Sequence, residues 1–532
     1  MRHRPVLTTA LTVGCALVAL AGCGSSASSS AGSTSSSSSS SSASAGAPVE
    51  GGNLVFANPQ DAESLDESTI FDNNSIWIIE QITQPLFTVT NNGKGVMPWL
   101  ATGYTESANG LAYTITLRKG VKFSDGTPMT SKDVQFSLEQ TMAASQGWGY
   151  IDSAIKSVAA PSADTVVVNL KYKWAPILAD LALFANGVVP DNYGGKTAAA
   201  FYNAPIGTGP FKFDYWHKGS ALKLVKNTNY WQPGKPYLDS VTWTDVPDDN
   251  TRQLQVTSGQ AQIDQFPAWS TVATLKSTPG VTLSLFPSTE TNYLAFNENV
   301  KPFQDVNVRR AISYAIDRSA LVKAVLFGNG QPANSIFPPQ LNYYDPNSGG
   351  LQYNLADAKA ALAKSSVPKG FTTTLLLPSG NSDYATIATI VQSELKPLGI
   401  NVKIEQQDPN TENENFQSGK YDMSFSLWTM DIPDPDELAT FALDPTSGSK
   451  SFFTFYDNPT VVNAVHAAEV TTDTASRQAD YNTAQTLAAQ DAFMAFLYYS
   501  PYAYVESSNV HGFQVTPLAN YHMEDVWLSP GS

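Results

Sequence analysis

Residues 111–134 read Leu-Ala-Tyr-Thr-Ile-Thr-Leu-Arg-Lys-Gly-Val-Lys-Phe-Ser-Asp-Gly-Thr-Pro-Met-Thr-Ser-Lys-Asp-Val. The alternation of apolar and polar residues over 111–117 predicts a half-buried strand. The Ser-Asp-Gly-Thr-Pro run that follows is typical of a tight turn, and Gly126 supplies the backbone freedom that the turn needs. Thr130 and Asp133 have the spacing of a capping box, which predicts the start of a helix. This one run therefore predicts a strand, a turn and a helix in succession.

The same order recurs in the second half of the chain. Asn354 is predicted to cap a helix over 355–364, and 383–395 is predicted to be a second helix that ends before Gly399. The alternation over 400–404 then predicts a strand. Strands and helices that alternate in this way indicate an α/β fold built in layers.

Length and charge narrow the function. The chain has 532 residues, with 31 Lys and Arg against 47 Asp and Glu, and a formal net charge of -16. This length allows two to four domains. Nucleic-acid binding requires clustered Lys and Arg to neutralise phosphates, and this chain has no such cluster. A cation, a polar solute or a protein is the expected partner.

The N-terminus has the pattern of an export signal. Arg2 and Arg4 precede an apolar run over 6–20, and Leu-Ala-Gly-Cys ends at Cys23. This ending resembles the lipobox of bacterial lipoproteins, which implies that a signal peptide over 1–22 is removed and that Cys23 carries lipid. The alternative is an ordinary secretory signal in which Cys23 is incidental.

A flexible tether is predicted over 23–47. Residues 24–47 contain 15 serines among glycine, alanine and one threonine, a composition that cannot form a core. No later segment offers the roughly 18 uninterrupted apolar residues that a membrane-spanning helix needs. We therefore expect a body that is anchored by lipid and does not cross the bilayer. Without 1–22, Cys23 is the only cysteine, so no disulfide within the chain is expected.

Patterns that indicate catalysis or metal binding are missing from the sequence. It contains no H-E-x-x-H, G-x-S-x-G or C-x-x-C motif. The histidines of the mature chain never fall three or four residues apart, so no metal site, cofactor or catalytic residue is predicted. A metal site assembled from distant parts of the chain stays open at this stage.

An acidic loop after a predicted strand is more informative. The strand over 421–428 ends in Trp428, and Asp434 and Glu437 are placed to cap the helix that follows. Asp431 has no such capping role. An acidic group beside an aromatic ring can hold a cation or a donor group of a ligand, so Asp431 and Trp428 are predicted to bind ligand. The alternative is a solvated loop aspartate.

Six further segments stand in a fixed order along the chain: Leu117–Val134, Gly207–Phe211, Asn227–Trp231, Ser258–Asp264, Phe296–Asn297 and Pro302–Arg318. In this order they resemble solute-binding protein family 5, which includes the oligopeptide, dipeptide and nickel binders of ABC importers. Each has a structural explanation; the last, for example, is predicted to be one capped helix. Their joint presence behind a lipobox carries the resemblance.

The resemblance implies a two-lobed periplasmic-binding-protein-like fold of type II, in the large cluster with an inserted subdomain. It places lobe I at 48–88, 205–292 and 500–532, the inserted subdomain at 89–204 and lobe II at 293–499. The chain then passes between the lobes at two hinges, near 291–297 and 498–504. Closure of the lobes around a ligand would create a shape that a membrane permease recognises.

The resemblance also implies pocket residues. Asp431 matches the aspartate that pairs with the α-ammonium group of a bound peptide, and Trp428 matches an aromatic residue of the same segment. The further positions that it suggests are Asn74, Trp77, Tyr293, Asn297 and Tyr499. Tyr293, Asn297 and Trp77 have hinge or core packing as their alternative.

The function implied is that of a substrate-binding lipoprotein of an ABC importer on the outer face of the cell membrane. It is expected to act as a monomer, with permease subunits as partners, without enzymatic activity and without nucleic acid. A peptide is the first choice of ligand. One departure keeps an oligosaccharide, a cationic amine or a metal chelate open: no arginine lies between Arg318 and Arg477 to hold a dipeptide carboxylate. A ligand-sensing lipoprotein and a secreted hydrolase are the alternative functions.

Overall fold

The structure, a computed structural model, describes residues 47–145 and 147–530. The predicted signal peptide at 1–22, Cys23 and residues 24–46 of the predicted tether lie outside the described residues. Among the described residues, no helix is both long enough and apolar enough to cross a membrane.

Strands occur along the whole described chain. In chain order they are β1 (Asn53–Asn58), β2 (Phe87–Val89), β3 (Val96–Pro98), β4 (Ala101–Glu106), β5 (Ala112–Leu117), β6 (Ile155–Ser162), β7 (Thr165–Leu170), β8 (Phe211–His217), β9 (Ala221–Lys226), β10 (Ser240–Asp245), β11 (Ile263–Gln265), β12 (Val281–Phe286), β13 (Thr291–Phe296), β14 (Gln331–Pro332), β15 (Thr372–Pro378), β16 (Asn401–Gln407), β17 (Met423–Trp428), β18 (Met494–Tyr499), β19 (Tyr502–Ser507), β20 (Val510–His511) and β21 (Trp527–Leu528). Most of them belong to three larger sheets.

Helices lie between these strands. In chain order they are α1 (Asn73–Ile79), α2 (Ser131–Ala143), α3 (Ile177–Asp180), α4 (Ala198–Tyr202), α5 (Asp249–Thr257), α6 (Val272–Leu275), α7 (Lys301–Gln304), α8 (Val306–Ala315), α9 (Arg318–Val325), α10 (Leu355–Ala363), α11 (Ser382–Leu395), α12 (Pro409–Gln417), α13 (Asp436–Leu443), α14 (Pro459–Val470) and α15 (Thr474–Asp491). The predicted α/β class is confirmed.

The first large sheet, sheet I, has the strand order β12-β19-β11-β1-β10-β9-β8. β1 is parallel to β10 and β11, while β19 is antiparallel to both β11 and β12. The carboxyl ends of β1, β10, β11 and β12 therefore lie along one edge. The start of β19 lies at this edge too, because Tyr502 pairs with Phe286.

The second large sheet, sheet II, has the order β14-β18-β13-β17-β15-β16. β15 is parallel to β16 and β17, and β13 is antiparallel to β17 and β18. Thr291, the first residue of β13, pairs with both Trp428 and Tyr499. One edge of sheet II therefore carries the start of β13 and the carboxyl ends of β15, β16, β17 and β18.

The chain passes between sheets I and II at two places. Residues 287–290 join β12 to β13, and residues 500–501 join β18 to β19. The second crossover lies within the predicted hinge at 498–504. The first lies directly before the predicted hinge at 291–297, and residues 291–296 of that hinge form β13, a fully buried strand within sheet II. Both crossovers leave from the edges that carry the carboxyl ends.

A four-stranded antiparallel sheet, sheet III, has the order β4-β5-β7-β6. It has a core of its own, in which Ile115, Val134 and Val166 are buried with α2 against the strands. Trp148, which follows α2, packs instead in the core of sheet I. Sheet III is thus attached to the side of sheet I through the segment after α2.

Local signals within one turn were predicted well. Thr130 caps α2, and Asp133 completes the capping box that the sequence predicts. Gly126 adopts the left-handed backbone conformation, with φ of 93°, as its turn requires. Asn354 accepts hydrogen bonds from the first backbone amides of α10.

The prediction of a single helix over 302–318 is wrong. This segment contains α7, α8 and the first residue of α9, separated at Asp305 and at Ile316–Asp317. Both aspartates have extended backbones, and their side chains cap the helices that follow them. An aspartate that caps a new helix ends the previous one, so the two capping signals override the helical periodicity of the apolar residues.

Gly207 makes a close approach that positions the chain after α1. A Cβ atom at this position would lie 2.0 Å from the carbonyl oxygen of Ile82. Gly207→Ala should therefore lower the free energy of unfolding by about 1–3 kcal/mol, measured by chemical denaturation, because backbone must move to make room. Gly103→Ala is the control, since a Cβ there would meet nothing within 4 Å. Equal losses in both variants would contradict this explanation.

Candidate functional site

The site lies where the carboxyl edges of sheets I and II face each other. Asn58 and Gln265 end parallel strands of sheet I, and Gln407 and Trp428 end parallel strands of sheet II. Both crossovers join the sheets along these edges. Ligands of open α/β sheets bind outside the carboxyl ends of the strands, so the crevice between the two edges is the candidate binding site.

Asp431 is a buried acid that no donor satisfies. It follows β17 by three residues and is 4% exposed. Its backbone amide donates to Glu437, while its carboxylate accepts no hydrogen bond from any described residue. Burial raises its pKa well above the ordinary value, and the charges of Glu437 and then Glu80 raise it further. A positive group of a ligand would supply the partner that this carboxylate lacks.

Glu437 shapes the loop that holds Asp431. One of its carboxylate oxygens accepts from the backbone amides of Asp431 and Ile432, each at 3.0 Å, and the other accepts from Trp428 Nε1 at 3.1 Å. Burial raises its pKa to about 8 despite these three donors. The ring of Trp428 packs in an aromatic cluster, 4.8 Å from Phe441 between ring centres. Glu437 and this packing fix the loop at the end of β17.

The helix α1 brings two of the predicted residues towards this loop. Asn73 Nδ2, at its first residue, donates to Thr429 Oγ1 at 3.0 Å and links the two sides of the crevice. Asn74 is 8% exposed and Trp77 is 2% exposed. Asn74 Oδ1 and Trp77 Nε1 have no hydrogen-bond partner among the described residues. The ring of Trp77 packs with Phe266 in the core of sheet I, so it offers no open face for stacking.

The remaining predicted residues lie on strands of sheet II. Tyr293 is fully buried near the start of β13, and its hydroxyl has no partner among the described residues. Tyr499 ends β18 at the crevice edge, but its hydroxyl contacts the backbone of Ser335. Asn297 lies past the opposite end of β13, where its amide donates to Gly419 and Tyr421. The structure therefore does not bring Asn297 to the crevice.

Of the two predicted helix caps after Asp431, the Asp434 cap is confirmed and the Glu437 cap is not. The helix α13 starts at Asp436, after Pro435, which forms no side-chain cap. Asp434 Oδ1 accepts from Asp436 N at 3.1 Å, and the same carboxylate forms a two-pronged ion pair with Arg477, at 2.8 Å for each bond. Glu437 reaches back to the loop instead of capping the helix. The prediction missed the ion pair of Asp434 because Arg477 comes from a distant helix, α15.

Two further residues at the site escaped the sequence prediction. Tyr502, the first residue of β19, is fully buried; burial raises its pKa well above the ordinary value, and the charges of Glu290 and Asp431 add to this shift. Glu80 directly follows α1, and its negative charge raises the pKa of Asp431. A signal for Glu80 was present, since it is a lone acid within the apolar run over 76–82.

The acids of the site are not arranged as a metal centre. Among the described residues, no group of three or more histidine, cysteine, aspartate or glutamate side chains is placed to hold a metal ion. The chemistry that the crevice offers to a ligand is therefore negative charge, aromatic surface and single hydrogen-bonding groups.

These buried acids make the stability of the protein depend on pH. Burial raises the pKa of Glu437 from 4.5 to about 8 and that of Glu80 from 4.5 to about 7. The folded protein then binds protons more tightly than the unfolded chain, so stability is lost as pH rises from about 4.5 to about 8. The unfolding temperature without ligand should be higher at pH 5 than at pH 8. A constant or rising unfolding temperature over this range would contradict the prediction.

Comparison with known proteins identifies the group to which this architecture belongs. The model of bacterial extracellular solute-binding proteins, family 5 middle, matches residues 95–450. The glutathione-binding protein GsiB of Escherichia coli O6:K15:H31 (strain 536 / UPEC) is 30% identical over 496 residues, which cover 90% of this chain and 94% of that protein. GsiB of Salmonella choleraesuis (strain SC-B67) is 30% identical over 497 residues, with 90% and 93% covered.

Two solved structures share the whole fold. The ABC transporter-associated periplasmic binding protein DppA from Helicobacter pylori, in complex with the peptide STSA, matches with a TM-score of 0.84 and 29% identity, covering 91% of this chain and 99% of that one. The oligopeptide-binding protein AppA from Bacillus subtilis, in complex with a nonapeptide, matches with a TM-score of 0.83 and 27% identity, covering 91% and 100%. The two-lobed fold that the sequence resemblance implies is confirmed. The chain belongs to the family 5 bacterial extracellular solute-binding proteins.

Proposed function

We propose that this chain is the substrate-binding protein of an ABC importer and that it captures a peptide in the crevice between sheets I and II. The observation that carries the proposal is Asp431, a buried carboxylate without a donor at the carboxyl edge of sheet II. The α-ammonium group of a peptide has the charge and the donors that it lacks. The solved relatives that hold the peptide STSA and a nonapeptide support the same class of ligand.

The two lobes of the proposal follow the two large sheets. Lobe I would comprise 48–88, 205–292 and 500–532 around sheet I, with the inserted subdomain 89–204 around sheet III and lobe II at 293–499 around sheet II. The ligand residues would be Asp431, Trp428, Asn74, Tyr293 and Tyr499. Trp77 would support Asn74 from the core. Asn297 carries no part of this proposal, because its amide is used within lobe II.

Closure of the lobes would be the whole activity, so the chain would act without catalysis and as a monomer. Small-angle scattering with and without peptide tests this mechanism, since bending at 287–290 and 500–501 changes the separation of two rigid lobes. We expect a smaller radius of gyration with peptide bound. Binding without any change in the radius would contradict closure.

The chain would deliver its ligand from the outer face of the cell membrane, held there by lipid on Cys23. The pattern Leu-Ala-Gly-Cys and the serine-rich segment behind it support this anchor. Cys23→Ser should release the protein from membranes into the medium. If membranes retained the variant as they retain the wild type, the lipid anchor would be contradicted, and the proposal of a peptide ligand would be unaffected.

The direct test of the ligand is mass spectrometry of small molecules that remain bound to the chain purified without residues 1–23. Peptides should be recovered after mild denaturation, and the purified peptides should bind again in calorimetry. Recovery of only a neutral sugar or a metal chelate would overturn the proposed ligand class. An importer gains support over a sensor if two permeases and two ATPases are encoded beside this chain.

A further inference from the structure

A small cavity lies at the end of α1, the helix whose first residue contacts Thr429 across the crevice. Its volume is about 40 Å³, which is room for about three water molecules. Its polar wall includes Glu80, Asn520, His522 and Glu524, and its apolar wall includes Trp99 and Phe184. A space of this size cannot hold a peptide backbone, but it can hold the end of one side chain.

The cavity contains one buried carboxylate oxygen that the described residues leave without a hydrogen-bond partner. Asn520 Nδ2 donates to one oxygen of Glu80 at 2.6 Å, while Oε2 is buried without a partner among the described residues. Glu524 is 2% exposed and contacts His522 Nδ1 at 3.3 Å. Burial lowers the pKa of His522, but Glu524, Glu80 and Asp525 outweigh it and the pKa lies above the ordinary value. A protonated His522 pairs with Glu524 and leaves Glu80 unpaired.

The positive groups near the cavity are already engaged. Lys235 forms an ion pair with Asp525, the acid that follows Glu524. Arg118 lies with its guanidinium over the ring of Trp231, 4.2 Å from the ring centre, and it is not among the residues that line the cavity. The unpartnered oxygen of Glu80 is therefore available to a positive group that enters from outside.

The cavity combines an acid with apolar walls. The carbon stem of a long side chain would contact its apolar wall, which includes Trp99, Phe184, Pro85 and Pro210. Such a stem that ends in a positive charge is the form of a lysine or ornithine side chain. The face of Trp99 would add attraction for the charge.

Hydrogen bonds connect the segment that holds Glu80 to the loop that holds Asp431. The amide of Met430, the residue before Asp431, donates to Thr289 Oγ1, and this hydroxyl donates to the backbone oxygen of Pro517, three residues before the Asn520 that donates to Glu80. We propose that the cavity at Glu80 is a subsite for a second positive group of the ligand, the amine-bearing side chain of the residue whose α-ammonium Asp431 holds. This inference rests on the proposed capture of a peptide by Asp431, and it narrows the ligand to peptides with a basic first residue.

Two tripeptides that differ only in the second charge test this subsite. Lys-Ala-Ala and norleucine-Ala-Ala share their backbone and carbon stem, but only the first carries the additional ammonium group. Calorimetry with the full chain in detergent should show at least tenfold tighter binding of Lys-Ala-Ala. In Glu80→Gln the preference should fall below threefold, because the amide keeps the size and the contact with Asn520 but removes the charge.

Controls separate this inference from the proposed function. Asp431→Asn should weaken both tripeptides by the same factor, and Glu80→Gln should unfold no earlier than the wild type because it loses a buried charge. Equal affinity of the wild type for the two tripeptides would overturn the subsite and leave the peptide function standing. If neither tripeptide binds, the proposed peptide function is overturned. The affinities for free lysine and free norleucine then test the subsite separately. Equal affinities for these two amino acids would overturn the subsite as well.

Discussion

Replacing Asp431 by asparagine should lower the affinity for a ligand with an ammonium group by about 2–5 kcal/mol, a loss of roughly thirtyfold or more. The substitution preserves the size and the hydrogen-bonding capacity of the side chain and removes only its charge. Asp431 is 4% exposed, and the negative charges of Glu437 and Glu80 act on its carboxylate, so water screens its pairing with a cation only weakly. Calorimetry with a peptide recovered from the wild type measures the loss.

The matched control for this variant is Asp436→Asn. Asp436 is 1% exposed and lies five residues further along the chain, at the start of α13, but its carboxylate has a donor within the protein, Thr440 Oγ1 at 3.0 Å. We expect the loss of the Asp436 charge to leave the affinity for the recovered peptide unchanged. Equal affinity of the wild type and Asp431→Asn would show that Asp431 does not hold a charged group. An oligosaccharide stacked between Trp428 and Trp77 would not become the favoured ligand in that case, because the ring of Trp77 is buried in the core and cannot stack on a sugar.

Replacing Arg477 by methionine should lower the free energy of unfolding by about 3–5 kcal/mol. Both ends of the ion pair between Arg477 and Asp434 are almost fully buried, and the two bonds are 2.8 Å long. Arg477 also donates to the backbone oxygen of Ala468 and to the hydroxyl of Tyr481. Methionine fills similar space but leaves the Asp434 carboxylate buried without its cation. Chemical denaturation at pH 7 measures the effect.

Two controls test this explanation. In Arg477→Met with Asp434→Leu, both charges are replaced by apolar groups, and most of the lost stability should return because no unpaired charge remains. Lys223→Met removes one end of the more exposed pair between Lys223 and Asp214 and should leave stability nearly unchanged. If the double variant is no more stable than Arg477→Met, lost packing rather than the unpaired charge explains the effect.

At the crevice, the acids that favour ligand binding lower the stability of the protein without ligand. Asp431, Glu437 and Glu80 are held at high cost without a ligand, since burial raises the pKa of each. A protein selected for stability alone would not keep three such acids together. Their presence is understandable if a positively charged ligand enters and pairs with them, as proposed for Asp431 and Glu80.

The sequence by itself determined what depends on residues close along the chain. The strand β5, the turn at Gly126 and the capping box of α2 follow from side-chain and backbone contacts within about four residues, and all three were predicted. The resemblance of several segments in fixed order gave the family and the two-lobed fold. The break of the predicted helix at Asp305 was also a local signal, which the apolar periodicity masked.

The tertiary structure alone decided which of these residues meet. Asp434 pairs with Arg477, 43 residues away, and the charge of Glu80, from another lobe of the proposed fold, acts on Asp431. Asn297 lies only four residues after Tyr293, but the strand between them carries it to the far end of sheet II. Burial and pairing of charges depend on contacts between distant segments, which local sequence patterns do not encode, and so the acid partners of the binding site emerged only from the fold.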